Sequence, residues 1–216
     1  MSVRLLVFDW DGTLADSTDI IAGVLQSACR DLGCPVPDDE AARHVIGLGL
    51  ADALRHAAPT LQQDEIPRLS ALYRHHYLAR EPEIELFEGA HDLLARLARR
   101  GHLLGIATGK TRAGLDRALA RHELAALFHA TRCADESPPK PDPAMLVHVM
   151  SALDVLAAET IMIGDTTHDL EMARRAGVRS IAMAHGAHAA EKLRALQPVG
   201  LVQSLRELDE LLVRLS

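Results

Sequence analysis

The chain has 216 residues, of which 48% are hydrophobic and 25% are charged, and its net charge is −7 at pH 7. This length and balance indicate a globular protein with one domain, or one domain with an insertion, that can bury a core. The negative charge argues against nucleic acid as a partner, because a phosphate backbone binds to basic surfaces. It does not exclude a small phosphorylated ligand, since a metal ion or a lysine reverses the field inside a pocket.

The cysteines and the hydropathy pattern bear on where the protein works. Cys29, Cys34 and Cys133 form no Cys-x-x-Cys pair, which favours a reducing compartment over a disulfide framework. The first residues lead directly into a strand-like run, and no apolar run approaches the roughly 18 residues of a membrane helix. We therefore expect a cytoplasmic protein with no signal peptide and no membrane partner, present as a monomer or a homodimer.

In chain order, the first predicted strand covers residues 3–9, and the region after it differs from the rest of the chain. Residues 16–81 contain no convincing strand. They show helical periodicity at 20–32, 40–46, 51–57 and 66–78. We interpret this region as an inserted all-helical cap domain, and a lid over the carboxyl ends of the strands would be its natural role. The alternative is that its helices pack on the sheet as an ordinary crossover.

Beyond this insert, strand-like and helical patterns alternate. Further strands are predicted at residues 102–108, 130–133, 161–165, 180–184 and 200–202. Between or after them, one helix is predicted to end at Gly101, one to begin at Asp142-Pro143 and one to begin at the capping box Ser204-x-x-Glu207. The alternation predicts an α/β fold, with a Rossmann-like parallel sheet and helices on both faces, formed by residues 1–15 and 82–216.

Three of the predicted strands end in polar side chains. Asp9 ends the first strand, Thr108 ends the second and Asp165 ends a later one. Ligands of open α/β sheets bind at the carboxyl ends of the strands, so we expect these side chains to converge on one edge.

The first strand ends in two acids, Asp9 and Asp11, which a single residue separates. Two carboxylates about 4 Å apart repel by roughly 4 kcal/mol at an effective dielectric constant near 20, so a proton or a cation must offset one of them. Carboxylates with open coordination positions suit Mg²⁺. Asp165 and Asp169 supply complementary acids, although Asp169 also stands where it would favour a helix N-terminus.

Two further segments suggest phosphate binding. Residues 108–111 end in the Gly-Lys-Thr of a nucleotide-binding Walker A loop, but that motif needs a glycine where this chain has Leu104. We therefore reject nucleotide binding and expect the Thr108 hydroxyl and the Gly109 amide to hold a phosphoryl oxygen. Lys140 is flanked by prolines, which fix where its side chain leaves the loop, and we expect a functional cation rather than a solvated one.

These four elements, in this order, resemble the motifs of the haloacid dehalogenase-like hydrolase superfamily, and within it the phosphoglycolate-phosphatase-like branch. DWDGTLADS at 9–17 is similar to the first motif, IATGK at 106–110 to the second, Lys140 in KPDP to the third and GDTTHD at 164–169 to the fourth. The resemblance covers essentially the whole chain, including the helical cap.

The resemblance implies a Mg²⁺-dependent phosphatase that hydrolyses a small phosphorylated metabolite, phosphoglycolate-like, through an aspartyl-phosphate intermediate. Asp9 would be the nucleophile, and Asp11 would be the general acid and then the general base. The other implied roles are phosphoryl binding by Thr108 and Gly109, charge compensation by Lys140, and metal binding by Asp9, Asp165, Asp169 and the backbone carbonyl of Asp11.

The family carries a substrate-specificity loop in its cap, and Arg43 together with Gly47 in segment 46–49 resembles it. Arg43 would pair with a substrate carboxylate, and a solvated helix arginine is the alternative. Other activities remain open on this scaffold: a phosphomutase, a pyrophosphatase or, remotely, a receiver-type phospho-accepting signalling module. A phosphonatase of this type needs a cap lysine, and residues 16–81 contain none.

Overall fold

The computed structural model describes residues 3–215, and a six-stranded sheet lies at its centre. Its strands are β1 (Leu5–Phe8), β2 (Leu103–Thr108), β3 (Ala130–Cys133), β4 (Thr160–Gly164), β5 (Arg179–Met183) and β6 (Gly200–Val202). All neighbouring strands are parallel, in the order β3-β2-β1-β4-β5-β6. Each of the six predicted strands is present. The strand order reverses at β1, and such a reversal opens a crevice at the carboxyl ends of the strands.

The described part of the chain contains ten α-helices. They are α1 (Thr18–Leu32), α2 (Asp39–His44), α3 (Leu50–Ala57), α4 (Ile66–Arg80), α5 (Ala90–Arg99), α6 (Arg112–Arg121), α7 (Ala144–Leu153), α8 (Thr167–Arg175), α9 (Ala190–Ala195) and α10 (Leu205–Leu215). Among these residues, no helix combines the length and the apolar character needed to cross a bilayer.

Helices cover both faces of the sheet, as the alternation along β1 requires. Leu6 and Phe8 pack in one hydrophobic cluster with side chains of α5 and α10. Leu5 and Val7 pack in a second cluster with side chains of α7 and α8. The predicted α/β fold, with a Rossmann-like parallel sheet between helices, is therefore confirmed.

Helix α7 begins one residue later than the sequence predicts. The Asp142 N–H donates to Pro139 O at 3.0 Å, and this turn holds Asp142 before the helix. The Asp142 carboxylate accepts from the Ala144 N–H at 2.9 Å. Pro143 is consequently the capping residue rather than the first helical residue.

Helices α1–α4 occupy the segment between β1 and β2 and form a hydrophobic core of their own. Each helix contributes a buried side chain: Leu25 from α1, Ala42 from α2, Leu54 from α3 and Leu69 from α4. This cluster is separate from the two that pack on the sheet. The division into a cap at residues 16–81 and a core stays a prediction. Helices α1–α4 are called the cap below.

A tight turn follows β1 and directs its acids to the edge of the sheet. The Leu14 and Ala15 N–H groups both donate to Trp10 O at 3.0 Å. Gly12 has a φ of +81°, and a Cβ atom there would lie 2.2 Å from Asp165 Oδ2. This position therefore requires glycine. The indole of Trp10 is buried in the same cluster as Leu6 and Phe8, and its ring centroid lies 6.4 Å from that of His122.

Candidate active site

Asp9 lies at the end of β1 and is buried among charged groups. Its N–H donates to Ile163 O at 2.9 Å, which continues the pairing of β1 with β4. Its Oδ1 accepts from Lys140 Nζ at 2.6 Å. Its Oδ2 is buried and has no hydrogen-bond partner among the described residues. A buried carboxylate oxygen without a donor indicates a place for a bound group.

Asp165 follows β4 and is fixed by two donors. The Thr13 hydroxyl donates to its Oδ1 at 2.7 Å, and the Ala187 N–H donates to its Oδ2 at 2.7 Å. Thr13 belongs to the turn after β1 and Ala187 to the loop after β5, so two other segments of the chain hold this carboxylate. A Cβ atom on Gly186 would lie 2.2 Å from Asp165 Oδ2, which shows how closely the backbone approaches.

Asp169 lies in the first turn of α8 and does two things at once. Its Oδ2 accepts from the Thr166 hydroxyl at 2.6 Å and from the Thr166 N–H at 3.1 Å, which caps the helix. Its Oδ1 forms an ion pair with Lys140 Nζ at 2.7 Å. Asp169 therefore caps helix α8 and also contacts Lys140 in the candidate site.

Lys140 is the cation of the cluster. Its side chain is fully buried and bridges Asp9 and Asp169. Burial acts to lower its pKa, but the carboxylates of Asp169 and Asp9 outweigh burial and hold that pKa above the ordinary value. The lysine therefore stays charged, and the sequence-based expectation of a fixed cation at this edge agrees with where the side chain lies.

The three buried acids are not balanced by Lys140 alone. Oxygen atoms of Asp9, Asp165 and Asp169 lie within 4.8 Å of one another. Burial raises the pKa of Asp9 well above its ordinary value and raises that of Asp165 to about 7. Three carboxylates against one ammonium leave two negative charges, which a divalent cation would offset. The all-oxygen donor set of these three buried carboxylates fits a hard ion such as Mg²⁺.

Thr108 and Gly109 end β2 beside this cluster. The Thr108 side chain is buried, and its Oγ1 accepts from the Lys110 N–H at 3.2 Å, which leaves the hydroxyl proton free to donate. A Cβ atom on Gly109 would lie 2.6 Å from both Gly47 O and Leu48 O. The loop between α2 and α3 is therefore in close contact with the core at this glycine.

Asp11 is held by a network that the sequence did not reveal. Its Oδ1 lies 3.0 Å from Lys110 Nζ and accepts from the Ser17 hydroxyl at 2.8 Å. Lys110 also donates to the hydroxyl of Tyr77, on α4, at 2.8 Å. Burial acts to lower the pKa of Lys110, and Asp11 and Tyr77 outweigh it, so this pKa lies above its ordinary value. The Gly-Lys-Thr segment was the sequence signal that could have pointed to Lys110. Once the Walker A loop was rejected, this lysine was assigned no role.

Arg43 and Gly47, the two residues predicted in the substrate-specificity loop, have different surroundings. The Arg43 guanidinium forms ion pairs with Asp19 and Asp39 and donates to Thr18 Oγ1 at 3.3 Å. It is thus engaged within the cap and does not line the cavity beside Asp11. Gly47 does line that cavity, with a φ of +90°.

Three histidines link the cap to the core. His168 Nε2 and His188 Nε2 donate to the same backbone oxygen, His44 O, at 2.8 and 3.1 Å. His188 Nδ1 accepts from the Thr167 N–H at 2.9 Å, so both of its ring nitrogens are used. Burial, with a contribution from His168, lowers the pKa of His188 to about 4. No sequence pattern predicts this cluster, because 124 residues separate His44 from His168.

Comparison with known proteins decides the family. A family model described as haloacid dehalogenase-like hydrolase matches residues 6–183. The chain belongs to the haloacid dehalogenase-like hydrolases. It is 36% identical over 209 residues to probable phosphatase IndB of Dickeya dadantii (strain 3937), covering 94% of this chain and 90% of that protein. It is 30% identical over 206 residues to the phosphoglycolate phosphatase of Aliivibrio fischeri (strain ATCC 700601 / ES114), covering 91% and 90%.

The fold of this haloacid dehalogenase-like hydrolase also occurs in solved structures. A haloacid dehalogenase-like family hydrolase from Streptococcus pneumoniae superposes with a TM-score of 0.82 at 26% identity, covering 95% of this chain and 96% of that one. The predictions of the superfamily, of its phosphoglycolate-phosphatase-like branch and of a phosphatase are confirmed.

Proposed function

We propose that this hydrolase is a Mg²⁺-dependent phosphatase that acts on a small phosphorylated metabolite through an aspartyl-phosphate on Asp9. The observation that carries the proposal is the buried Asp9 Oδ2, which has no hydrogen-bond partner among the described residues although Lys140, Asp165 and Asp169 surround this carboxylate. A nucleophile needs an oxygen that the protein leaves free, and the fixed neighbours orient it.

In the first step, a carboxylate oxygen of Asp9 forms a bond to phosphorus and the bond from phosphorus to the alcohol oxygen breaks. The electron pair stays on the alcohol oxygen, which takes a proton from the Asp11 carboxyl group. Lys110 and Ser17 contact Asp11 Oδ1, and we assign the proton transfer to Oδ2. Thr108 Oγ1 and the Gly109 N–H donate to phosphoryl oxygens and stabilise the charge that develops on them.

In the second step, a water molecule gives a proton to the Asp11 carboxylate and its oxygen attacks phosphorus. The bond from phosphorus to Asp9 breaks, so inorganic phosphate leaves and Asp9 returns to a carboxylate. Lys140 is paired with Asp169 in both steps and with Asp9 before and after the intermediate, and it offsets charge between Asp9 and the phosphoryl group.

Asp9, Asp165, Asp169 and the backbone carbonyl of Asp11 would hold the Mg²⁺ ion. When bound, the ion supplies positive charge that stabilises the phosphoryl oxygens and allows the dianionic substrate to approach a carboxylate. The support for this assignment is the clustering of three buried carboxylates around a single lysine.

The substrate and the setting are also proposals. Relatives named phosphoglycolate phosphatase make phosphoglycolate the first compound to assay, and a phosphomutase or a pyrophosphatase would use the same cluster. The free thiols of Cys29, Cys34 and Cys133 support a cytoplasmic location.

The test is release of inorganic phosphate from a generic phosphomonoester, with Mg²⁺ and with EDTA. We expect Asp9→Asn to lower kcat by at least about a thousandfold, as loss of a nucleophile does. Asp64→Asn, at an exposed aspartate of the cap, is the matched control and should retain full activity. Acid-quenched samples of the wild type should carry a phosphoryl group on the peptide that contains Asp9. Full turnover by Asp9→Asn, or indifference to EDTA, would overturn the proposal.

A further inference from the structure

A cavity of about 380 Å³ lies between the cap and the core, and Asp11 and Lys110 are among the residues that line it. Cavities of about 300–1,000 Å³ hold small organic ligands in proteins. The proposed leaving alcohol bonds to phosphorus next to Asp11, so whatever the phosphate is attached to must extend into this space. The size and the lining of the cavity therefore bear on the choice of substrate.

The walls of the cavity are mostly apolar side chains of the cap. Six of them are Ile21, Leu25, Ile46, Leu50, Ala53 and Leu54. The rings of Tyr73 and Tyr77 also line it, stacked with their centroids 5.9 Å apart and their planes 12° apart. Walls of this kind favour an apolar or aromatic ligand, because contact with it removes apolar surface from water on both sides.

The charged groups of the lining leave no buried cation for a second anionic group. Among the described residues that line the cavity, the cations are Lys110, Arg74 and Arg117. Lys110 contacts Asp11 at 3.0 Å and donates to the Tyr77 hydroxyl at 2.8 Å, and Arg117 is paired with Glu81 at 3.0 Å. Arg74 is exposed to solvent.

Arg43, the cap arginine expected to hold a substrate carboxylate, does not line this cavity and forms ion pairs with Asp19 and Asp39. A substrate carboxylate close to the phosphate, as in phosphoglycolate, would therefore lose water without gaining an ion pair.

We infer that the preferred substrate is a phosphomonoester whose alcohol carries an uncharged, apolar or aromatic body larger than glycolate, and that this body occupies the cavity beneath α1, α3 and α4. The inference rests on the proposed phosphatase function, since it concerns the leaving group of that reaction. The inference adds the chemical class of the substrate. It also assigns helix α3 and the pair Tyr73 and Tyr77 as the part of the cap that selects this substrate.

Three esters with the same two-carbon link to phosphate test this class. Ethyl phosphate ends in a methyl group, phosphoglycolate has a carboxylate in place of that methyl group, and 2-phenylethyl phosphate carries an apolar ring on it. We expect kcat/KM for 2-phenylethyl phosphate to exceed that for each of the other two by at least about tenfold, the lower end of what one added methylene gains in an apolar pocket. Equal values, or a preference for phosphoglycolate, would overturn the inference.

A pair of variants on α3 tests where the ring binds. Ala53→Phe places a bulky side chain in the cavity, whereas Ala51→Phe places the same side chain at an exposed position of the same helix. We expect Ala53→Phe to lower the ratio of kcat/KM for 2-phenylethyl phosphate over ethyl phosphate by at least about tenfold. The Ala51→Phe ratio should equal that of the wild type. An unchanged ratio in a folded Ala53→Phe protein, with circular dichroism and Tm as the check, would contradict the assigned location.

The two proposals fail in different ways. In one outcome, all three esters are hydrolysed in a reaction that depends on Mg²⁺ and on Asp9, but without preference for the phenyl ester. This result would overturn the proposed substrate class and support the proposed phosphatase function. Absence of hydrolysis of every ester, or activity that survives Asp9→Asn, removes the phosphatase and the inference with it.

Discussion

The acid cluster at the end of β1 depends on one lysine for its charge balance. Lys140 Nζ lies 2.6 Å from Asp9 and 2.7 Å from Asp169, and all three side chains are buried. A buried ion pair contributes little relative to an apolar replacement of both partners, but removal of a single partner leaves an uncompensated buried charge. This asymmetry separates Lys140 from Lys192, whose side chain is 48% exposed.

We predict that Lys140→Met lowers the free energy of unfolding by about 3–5 kcal/mol in EDTA, because it leaves buried carboxylates without their cation. Urea denaturation followed by circular dichroism measures this change. Lys192→Met is the control: Lys192 pairs with Glu40 at 2.8 Å on the surface, and such pairs contribute at most about 1 kcal/mol. Equal losses of unfolding free energy in the two variants would show that the buried ion pairs of Lys140 contribute no more than the surface pair of Lys192.

At the scale of the element, the cap contacts the core through loop α2–α3, which lies against the end of β2. The closest approach is at Gly109, where a Cβ atom would meet Gly47 O and Leu48 O at 2.6 Å. Both obstacles are backbone atoms, so no side-chain rotation relieves the contact. A substitution there must move the loop away from the core.

Gly109→Ala should therefore loosen the cap without changing any catalytic side chain. We expect faster amide hydrogen exchange in residues 45–49 and a lower kcat/KM, since the cavity wall moves with the loop. Gly23→Ala is the control, because Gly23 is inside α1 with only Arg80 Nη1 near, at 3.7 Å. That change should instead stabilise the protein by up to about 1 kcal/mol. Unchanged exchange in Gly109→Ala would show that the loop contact is not maintained in solution.

The histidine link between α2 and α8 predicts a loss of stability in acid. The folded-state pKa of His188 is about 4, below its ordinary value of 6.5. A histidine with a lowered pKa contributes stability that is complete above pH 6.5 and is lost as the pH falls towards 4. The full shift corresponds to roughly 3 kcal/mol, so the effect is measurable by urea denaturation.

His188→Asn removes the titrating ring and keeps an oxygen that accepts from the Thr167 N–H. We expect the fall in unfolding free energy between pH 6.5 and pH 4.5 to be smaller in this variant than in the wild type. His91→Asn, at an exposed position of α5, should leave the pH profile as it is in the wild type. A profile that stays the same in His188→Asn would assign the acid sensitivity to other groups.

For the whole molecule, sequence reasoning predicted which side chains lie at the ends of the strands but not how the cap is oriented on the core. Asp9, Thr108 and Asp165 follow buried apolar strands, and parallel strands bring their ends to one edge, so local pattern was sufficient. The contact of Tyr77 with Lys110 joins α4 to the loop after β2 and depends on how the cap is oriented. No periodicity in either segment encodes that orientation, and the cavity that it creates was therefore not predicted.

The proposed metal ion and the pH would both affect the stability of the whole molecule through Asp165. In the metal-free protein, burial raises the pKa of Asp165 to about 7 from an ordinary value of 3.8. The folded state then binds a proton more tightly than the unfolded state, so this group reduces stability as the pH rises from about 4 to about 7. A divalent cation at the cluster favours the ionised carboxylates and reverses that loss.

We predict that Mg²⁺ raises the free energy of unfolding more at pH 8 than at pH 5.5, because protons compete with the ion for the same carboxylates at the lower pH. At a concentration of 100 times its dissociation constant, the ion adds about 2.7 kcal/mol. Urea denaturation with Mg²⁺ and with EDTA at both pH values measures the increment. Asp165→Asn should abolish it, and Asp64→Asn should retain it. An increment that is equal at the two pH values would show that the ion does not displace protons from this cluster.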